Sequence, residues 1–150
     1  MPPESHDDWS RARHLIEEYA ASLDVDLSFQ NHDRELAHLE SEYAAPTGAF
    51  LLAEENGDYV GCIGVRQLAA DTGEIKRLYV RPSLRKQGVG RLLVTRIVAA
   101  AKALGYMQLR LDTLPHMEEA QSLYTSSWFK PIAPYRFNPV PGTVFLELTL

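Results

Sequence analysis

Residues Arg85-Lys-Gln-Gly-Val-Gly90 carry an Arg-x-x-Gly-x-Gly pattern that follows a strand-like run, Glu74 to Val80, and opens directly into a helical one. That arrangement suits an anion. The first N–H groups of a helix have no intrahelical acceptor, its dipole favours negative charge at that end, and glycines let a ligand approach the backbone closely. With cations flanking the glycines, the expectation is a phosphorylated ligand. The Walker loop, GxxxxGK[ST], is absent, and the third glycine of a GxGxxG dinucleotide turn would fall at Leu93.

The elements that must position this junction can be read from periodicity. Trp9, Ala12, Leu15, Ile16, Tyr19 and Leu23 recur at helical spacing, and Leu36, Leu39 and Tyr43 form a shorter stripe closed by Pro46 and Gly48. Ala49 to Glu54 and Tyr59 to Leu68 are β-rich runs around Asn56-Gly57, a dipeptide that supplies the positive φ angles of a type I′ hairpin turn. A turn around Asp71-Thr72-Gly73 leads into the strand Glu74 to Val80. The apolar positions 89, 93, 97, 100 and 104 mark one face of a helix, and Gly105 is a natural stop. Met107 to Asp112 alternates as a strand. Pro115 to Ser126 reads as a helix with Pro115 near its first turn, and strands at roughly 129–133 and 143–150 flank the proline-rich loop Pro134 to Gly142. Helix, helix, three antiparallel strands, helix, strand, helix and two strands make an α+β fold: a mixed, mostly antiparallel sheet flanked by helices, with a parallel pairing beside the phosphate loop.

Composition narrows the function. A chain of 150 residues, 45% apolar, supports one sizeable core, and the reading is one domain over 1–150. A net charge of −5 argues against a nucleic-acid partner. The opening Met-Pro-Pro-Glu-Ser-His lacks the basic and apolar regions of a signal peptide, and no apolar run approaches membrane-spanning length. A soluble cytoplasmic protein with no membrane partner is the expectation. Cys62, the single cysteine, sits in an apolar stretch and reads as a small buried hydrophobe; the five histidines show no ligand spacing, so no metal is expected.

Taken with its surroundings, the loop resembles the acetyl-CoA loop of the GNAT superfamily of N-acetyltransferases. Lys76-Arg-Leu-Tyr-Val-Arg-Pro82 resembles the strand that the family counts as its fourth, and Ala120-Gln-Ser-Leu-Tyr124 its late helix. The resemblance covers roughly 9–150 and is most specific over 74–129. It implies a V-shaped opening where two strands splay, with the pantetheine arm of acetyl-CoA pairing with the backbone of Leu78, Tyr79 and Val80. The pyrophosphate would rest on N–H groups of Gln87, Gly88, Val89, Gly90 and Arg91, with Arg85 and Lys86 adding charge. It also implies a function: acetyl-CoA as co-substrate, and direct acetyl transfer in a ternary complex to the primary amine of a small, amino-acid-like molecule or of a protein.

Amide formation requires a neutral amine, and deprotonating an alkylamine at pH 7 costs about 4.6 kcal/mol, so a general base is useful. Glu74 starts the strand whose far end leads to the loop, about 20 Å away at 3.3 Å per residue, a length that suits the extended arm. Its place eleven residues before Arg85 matches the catalytic glutamate of some family members. Glu74 can equally be a polar residue entering the sheet, with water serving as the route for the proton. Tyr124, in Leu123-Tyr-Thr-Ser-Ser-Trp-Phe129, resembles the tyrosine of the family's Tyr-x-x-x-Gly-Phe segment, which protonates the leaving thiolate and touches the cofactor. Packing alone is its plainer role. Two positions depart from the pattern: Trp128 replaces the usual glycine, and Met117 stands where many members have an asparagine. They motivate a rival reading, an acyl-CoA-binding regulatory or interaction module without turnover. Tyr19, Tyr43, Tyr135, Arg136 and Phe137 are candidates to line the acceptor side. The sequence fixes neither the acceptor nor the oligomeric state, with a homodimer among the options.

Overall fold

The structure, a computed structural model, describes residues 2–22, 35, 37–85 and 87–150. Helix α1 runs His6–Ser22 and the short α2 Leu39–Glu42; Leu23 and Leu36, expected in these stripes, lie outside the described residues. Strands β1 (Ala49–Glu55), β2 (Asp58–Ala69) and β3 (Thr72–Val80) follow in antiparallel succession. The β1–β2 turn is the expected one, since Asn56 and Gly57 have φ of 52° and 85°. The next turn sits at Ala70–Asp71, so β3 begins two residues before Glu74. A short 3₁₀ turn, Pro82–Leu84, leads through the loop to α3, Val89–Ala103. Then come β4 (Gln108–Thr113), α4 (Glu118–Ser126), β5 (Lys130–Pro131) and β6 (Val144–Thr149). Pro115 stands ahead of the α4 cap, Met117, rather than in the first turn.

Among the described residues six strands form one mixed sheet in the order β1-β2-β3-β4-β6-β5, with β3 and β4 parallel. Alternation along each strand feeds two apolar layers. On one face Leu93, Val94, Ile97 and Ala101 of α3 pack on Ile63, Val65, Ile75, Leu109 and Leu111. On the other, Ala12, Leu15 and Ile16 of α1 pack on Phe50, Leu52, Cys62 and Tyr79. Each such large side chain contributes about 1.5–3 kcal/mol when buried. Cys62 is the small buried hydrophobe expected of it, and burial pushes its thiol up to about 12. Tyr43, expected near the acceptor, belongs to this second layer, edge-on to Phe50 at 5.2 Å. Phe137 is exposed. Among the described residues no helix is long and apolar enough to cross a membrane.

Candidate active site

The site begins where the parallel pair comes apart. Only Thr72, Gly73 and Glu74 of β3 register with β4, against Gln108, Leu109 and Arg110. Beyond Glu74 the strands diverge, and among the described residues β3 runs on to Val80 with no strand partner on that side. The cause lies in the pairing with β2. Cys62 faces Tyr79 and Gly64 faces Lys76, so Ile63 alone opposes both Arg77 and Leu78. That is a β-bulge, which kinks its strand and raises the local twist. Arg77 adopts φ +64°, a left-handed conformation costing a non-glycine residue roughly 1–2 kcal/mol. It is held by the buried Glu35 carboxylate, which accepts Arg77 Nε–H at 2.5 Å. The opening is lined by Leu78 and Lys76 of β3, Asp112 of β4, Met117 and Tyr124 of the following segment, and Tyr19 of α1.

The end of β3 leads to the loop. Gly88 caps α3 at φ +86° with no side-chain hydrogen bond, so the first N–H groups of α3 are not claimed by a cap. A Cβ at Gly88 would meet nothing within 4 Å; the residue is glycine for its backbone angle, and open space lies beside it. Gly90 serves differently. A Cβ there would come within 3.1 Å of Leu123 Cδ2, so its absence brings α3 close to α4. Arg85 donates from Nε to Val80 O at 2.9 Å and Gln87 from Nε2 to Ser83 O at 3.3 Å, tying the turn to the end of the strand. Arg91 spans to Ser126 Oγ at 3.2 Å. Val89, in the first turn of α3, is half-buried, and Lys86 lies outside the described residues.

Tyr124 is buried, lines the opening and packs edge-on to Phe129 at 5.4 Å. Burial pushes its hydroxyl well above its ordinary value, with Tyr19 and Asp112 adding to the shift, so it remains a protonated O–H donor. Met117, at the family's asparagine position, offers its sulfur to the hydroxyls of Tyr19 (3.8 Å) and Thr113 (3.7 Å). The other departure has a backbone explanation. Trp128 N–H reaches Thr125 O and Phe129 N–H reaches Tyr124 O at 3.1 Å, a Schellman closure in which Trp128 sits at φ +75°. Helix α3 ends the same way with Gly105 at φ +94°. The indole is 80% exposed, so little packing repays the strain. Trp128→Gly should therefore stabilise the fold by about 1 kcal/mol, measured by urea denaturation; a loss of stability would mean that the indole is packed.

Beside the opening lies a charged layer on the α1 face. Glu74, 1% exposed, takes Arg136 Nη2 at 2.5 Å and the Tyr135 hydroxyl at 2.8 Å on one oxygen and Arg66 Nε at 3.4 Å on the other. Arg66 also contacts Glu35 at 3.3 Å and Glu42 at 3.5 Å. Burial pushes the Glu35 carboxyl up, but Arg77, Lys76 and Arg66 outweigh it and hold the group below its usual range. Glu74 borders a separate polar hollow of about 370 Å³, shared with Ser41, Glu42, Thr47, Arg66 and Arg136. The sequence-predicted Leu78 and Tyr124 thus meet in the opening, while Glu74 stands in the neighbouring hollow. Periodicity missed Lys76 and Asp112. The signal was available: charged residues in a strand flanked by others on both sides must be buried, and Glu74 and Lys76 alternate onto one face.

Two diverging parallel strands, the first of which leads to an uncapped helix N-terminus, with a buried tyrosine on the wall, suit an extended, phosphate-bearing ligand. Residues 9–127 match the acetyltransferase (GNAT) family. An uncharacterised N-acetyltransferase of Schizosaccharomyces pombe is 39% identical over 99% of this chain and 90% of its own length. An IAA acetyltransferase of Azospirillum brasilense is 34% identical over 91% and 88%. In fold, the chain is similar to a Streptococcus agalactiae acetyltransferase (TM-score 0.80, 23% identity, 100% and 96% covered). It is also similar to a GNAT family acetyltransferase from Elizabethkingia anophelis with acetyl-CoA bound (TM-score 0.60, 23% identity, 75% and 82% covered). The chain belongs to the GNAT acetyltransferase family and is an N-acetyltransferase.

Proposed function

We propose that the protein moves an acetyl group from acetyl-CoA to the primary amine of a small molecule by direct transfer. One observation carries this reading: the edge of β3 that parts from β4 beyond Glu74 leads from an opening walled by Tyr124 to the open N-terminus of α3. The residues present fit the ligand. Its pantetheine arm would pair with Leu78, Tyr79 and Val80, and its pyrophosphate would take the N–H groups of Gln87, Gly88, Val89, Gly90 and Arg91 beside Arg85 and Lys86. Bound acetyl-CoA supplies the activated acetyl group. The chain must orient the amine, remove its proton and donate one to the departing thiolate as the C–S bond gives way to C–N.

Tyr124 is the donor to the thiolate. For the amine's proton, two carboxylates compete. Asp112 shares the opening with Tyr124 and accepts one hydrogen bond, from Asn138 Nδ2 at 3.1 Å, whereas both Glu74 oxygens are engaged. We assign proton removal to Asp112 and the alignment of Arg66, Tyr135 and Arg136 to Glu74. In a thiol-release assay across amines, Tyr124→Phe and Asp112→Asn should each lower kcat by about 10²-fold with acetyl-CoA affinity retained, while Glu74→Gln should mainly raise KM for the amine. A kcat loss confined to Glu74→Gln would return the base to that residue. Acetyl-CoA binding without release to any amine would favour the non-catalytic module.

A further inference from the structure

Among the described residues, every cation but one in the charged layer beside the opening touches a carboxylate. Arg66 is met by Glu35, Glu42 and Glu74, Arg77 by Glu35, and Arg136 by Glu74. Lys76 is 6% exposed, lines the opening, and its Nζ has no hydrogen-bond partner. It occupies the central strand, where methionine would fill a similar volume without burying a charge. A buried ammonium without a partner is costly. Across the opening, on β4, stands the carboxylate of Asp112.

Resting on the N-acetyltransferase reading, we propose that the acceptor is an amine that also carries a carboxylate, a free amino acid being the simplest case, and that Lys76 binds this carboxylate. The acceptor then supplies the hydrogen-bonded anion that Glu35 and Glu74, which act on Lys76 only through space, do not, while its amine lies toward Asp112. A zwitterion matches the two walls, cation on β3 and anion on β4. An amine without the carboxylate leaves Lys76 unpaired, and a site built around a buried polar group discriminates strongly against ligands that cannot satisfy it.

The test compares free L-amino acids spanning apolar, polar, acidic and basic side chains with their C-terminal amides and decarboxylated amines, each assayed by thiol release from acetyl-CoA. The free acids should exceed their amides at least tenfold in kcat/KM. Lys76→Met should raise KM for the best acid at least tenfold, with kcat much less affected, and so narrow the acid-over-amide ratio; Lys76→Arg should restore part of the acid preference. Equal use of acids and amides by the wild type, or an equal loss on both in Lys76→Met, overturns the inference and leaves the transferase reading standing. Release from no compound in any series, with acetyl-CoA still bound by calorimetry, overturns the transferase reading and the inference with it.

Discussion

Gly88→Glu is expected to weaken acetyl-CoA binding by at least 10²-fold in calorimetry, against a much smaller loss for Gly88→Ala. Both variants place an L side chain at φ +86°, so both lose roughly 1–2 kcal/mol of stability from that angle alone. A methyl group there meets no protein atom within 4 Å, which makes the alanine variant a control for strain. The glutamate adds bulk and negative charge in the space that a pyrophosphate needs to reach the first N–H groups of α3. Charge-assisted hydrogen bonds contribute about 1.5–3 kcal/mol each, so losing two corresponds to roughly 10²- to 10⁴-fold in affinity. Unchanged affinity in Gly88→Glu would remove the loop from the binding site, and an equal loss in both variants would make the backbone angle the whole effect.

The loop was legible because its chemistry is local. Positive φ at Gly88, like the Asn56-Gly57 turn, is written in residue type, and the apolar face of α3 in spacing. Element ends were less so, because partners far along the chain decide them. Thr72 and Gly73 join β3 through pairing with Gln108 and Leu109, and the expected strand at 129–133 contracts to Lys130–Pro131, paired with Glu147 and Leu146 of β6. Trp128 could be seen as a departure, but its bulk points to solvent and its strain lies in the backbone, which composition does not reveal. Least visible was the charged layer. Glu74 finds Arg66 across the β2–β3 pairing and Arg136 on the C-terminal loop, and Arg77 finds Glu35 ahead of α2. No short-range pattern couples these positions, so Glu74 could be placed at a strand start without its partners.

That layer carries the second large effect. Lys76→Met is expected to stabilise the protein by about 3 kcal/mol at pH 7, and the gain should vanish as the pH rises toward 10.5. Burial first, with Arg77 adding, pushes the Lys76 ammonium down to about 8 from its ordinary 10.5, a difference worth about 3 kcal/mol at 1.36 kcal/mol per pH unit. Between those values the unfolded chain holds more protons than the folded one, so wild-type stability gains from this site as pH increases. Below pH 8 the whole penalty is present; above 10.5 none remains. Arg77 on β3, Arg66 on β2, and the carboxylates Glu74 and Glu35 act on Lys76 from around it, and the two arginines, both pushed up, stay charged throughout. Asp112 stands across the opening on β4. Tyr19, in the same opening, is pushed up to about 12 and stays protonated across most of the window. Paired urea melts of wild type and Lys76→Met at pH 7, 8.5 and 10 would read the difference directly. A flat difference across pH, or a less stable Lys76→Met protein at pH 7, would mean that Nζ is satisfied in the free protein, and it would then have no unmet demand for an acceptor's carboxylate to answer. The predicted trend instead makes the residue a cost in the empty protein that a carboxylate-bearing acceptor removes, so such an acceptor should raise the melting temperature of the wild type and have little effect on Lys76→Met.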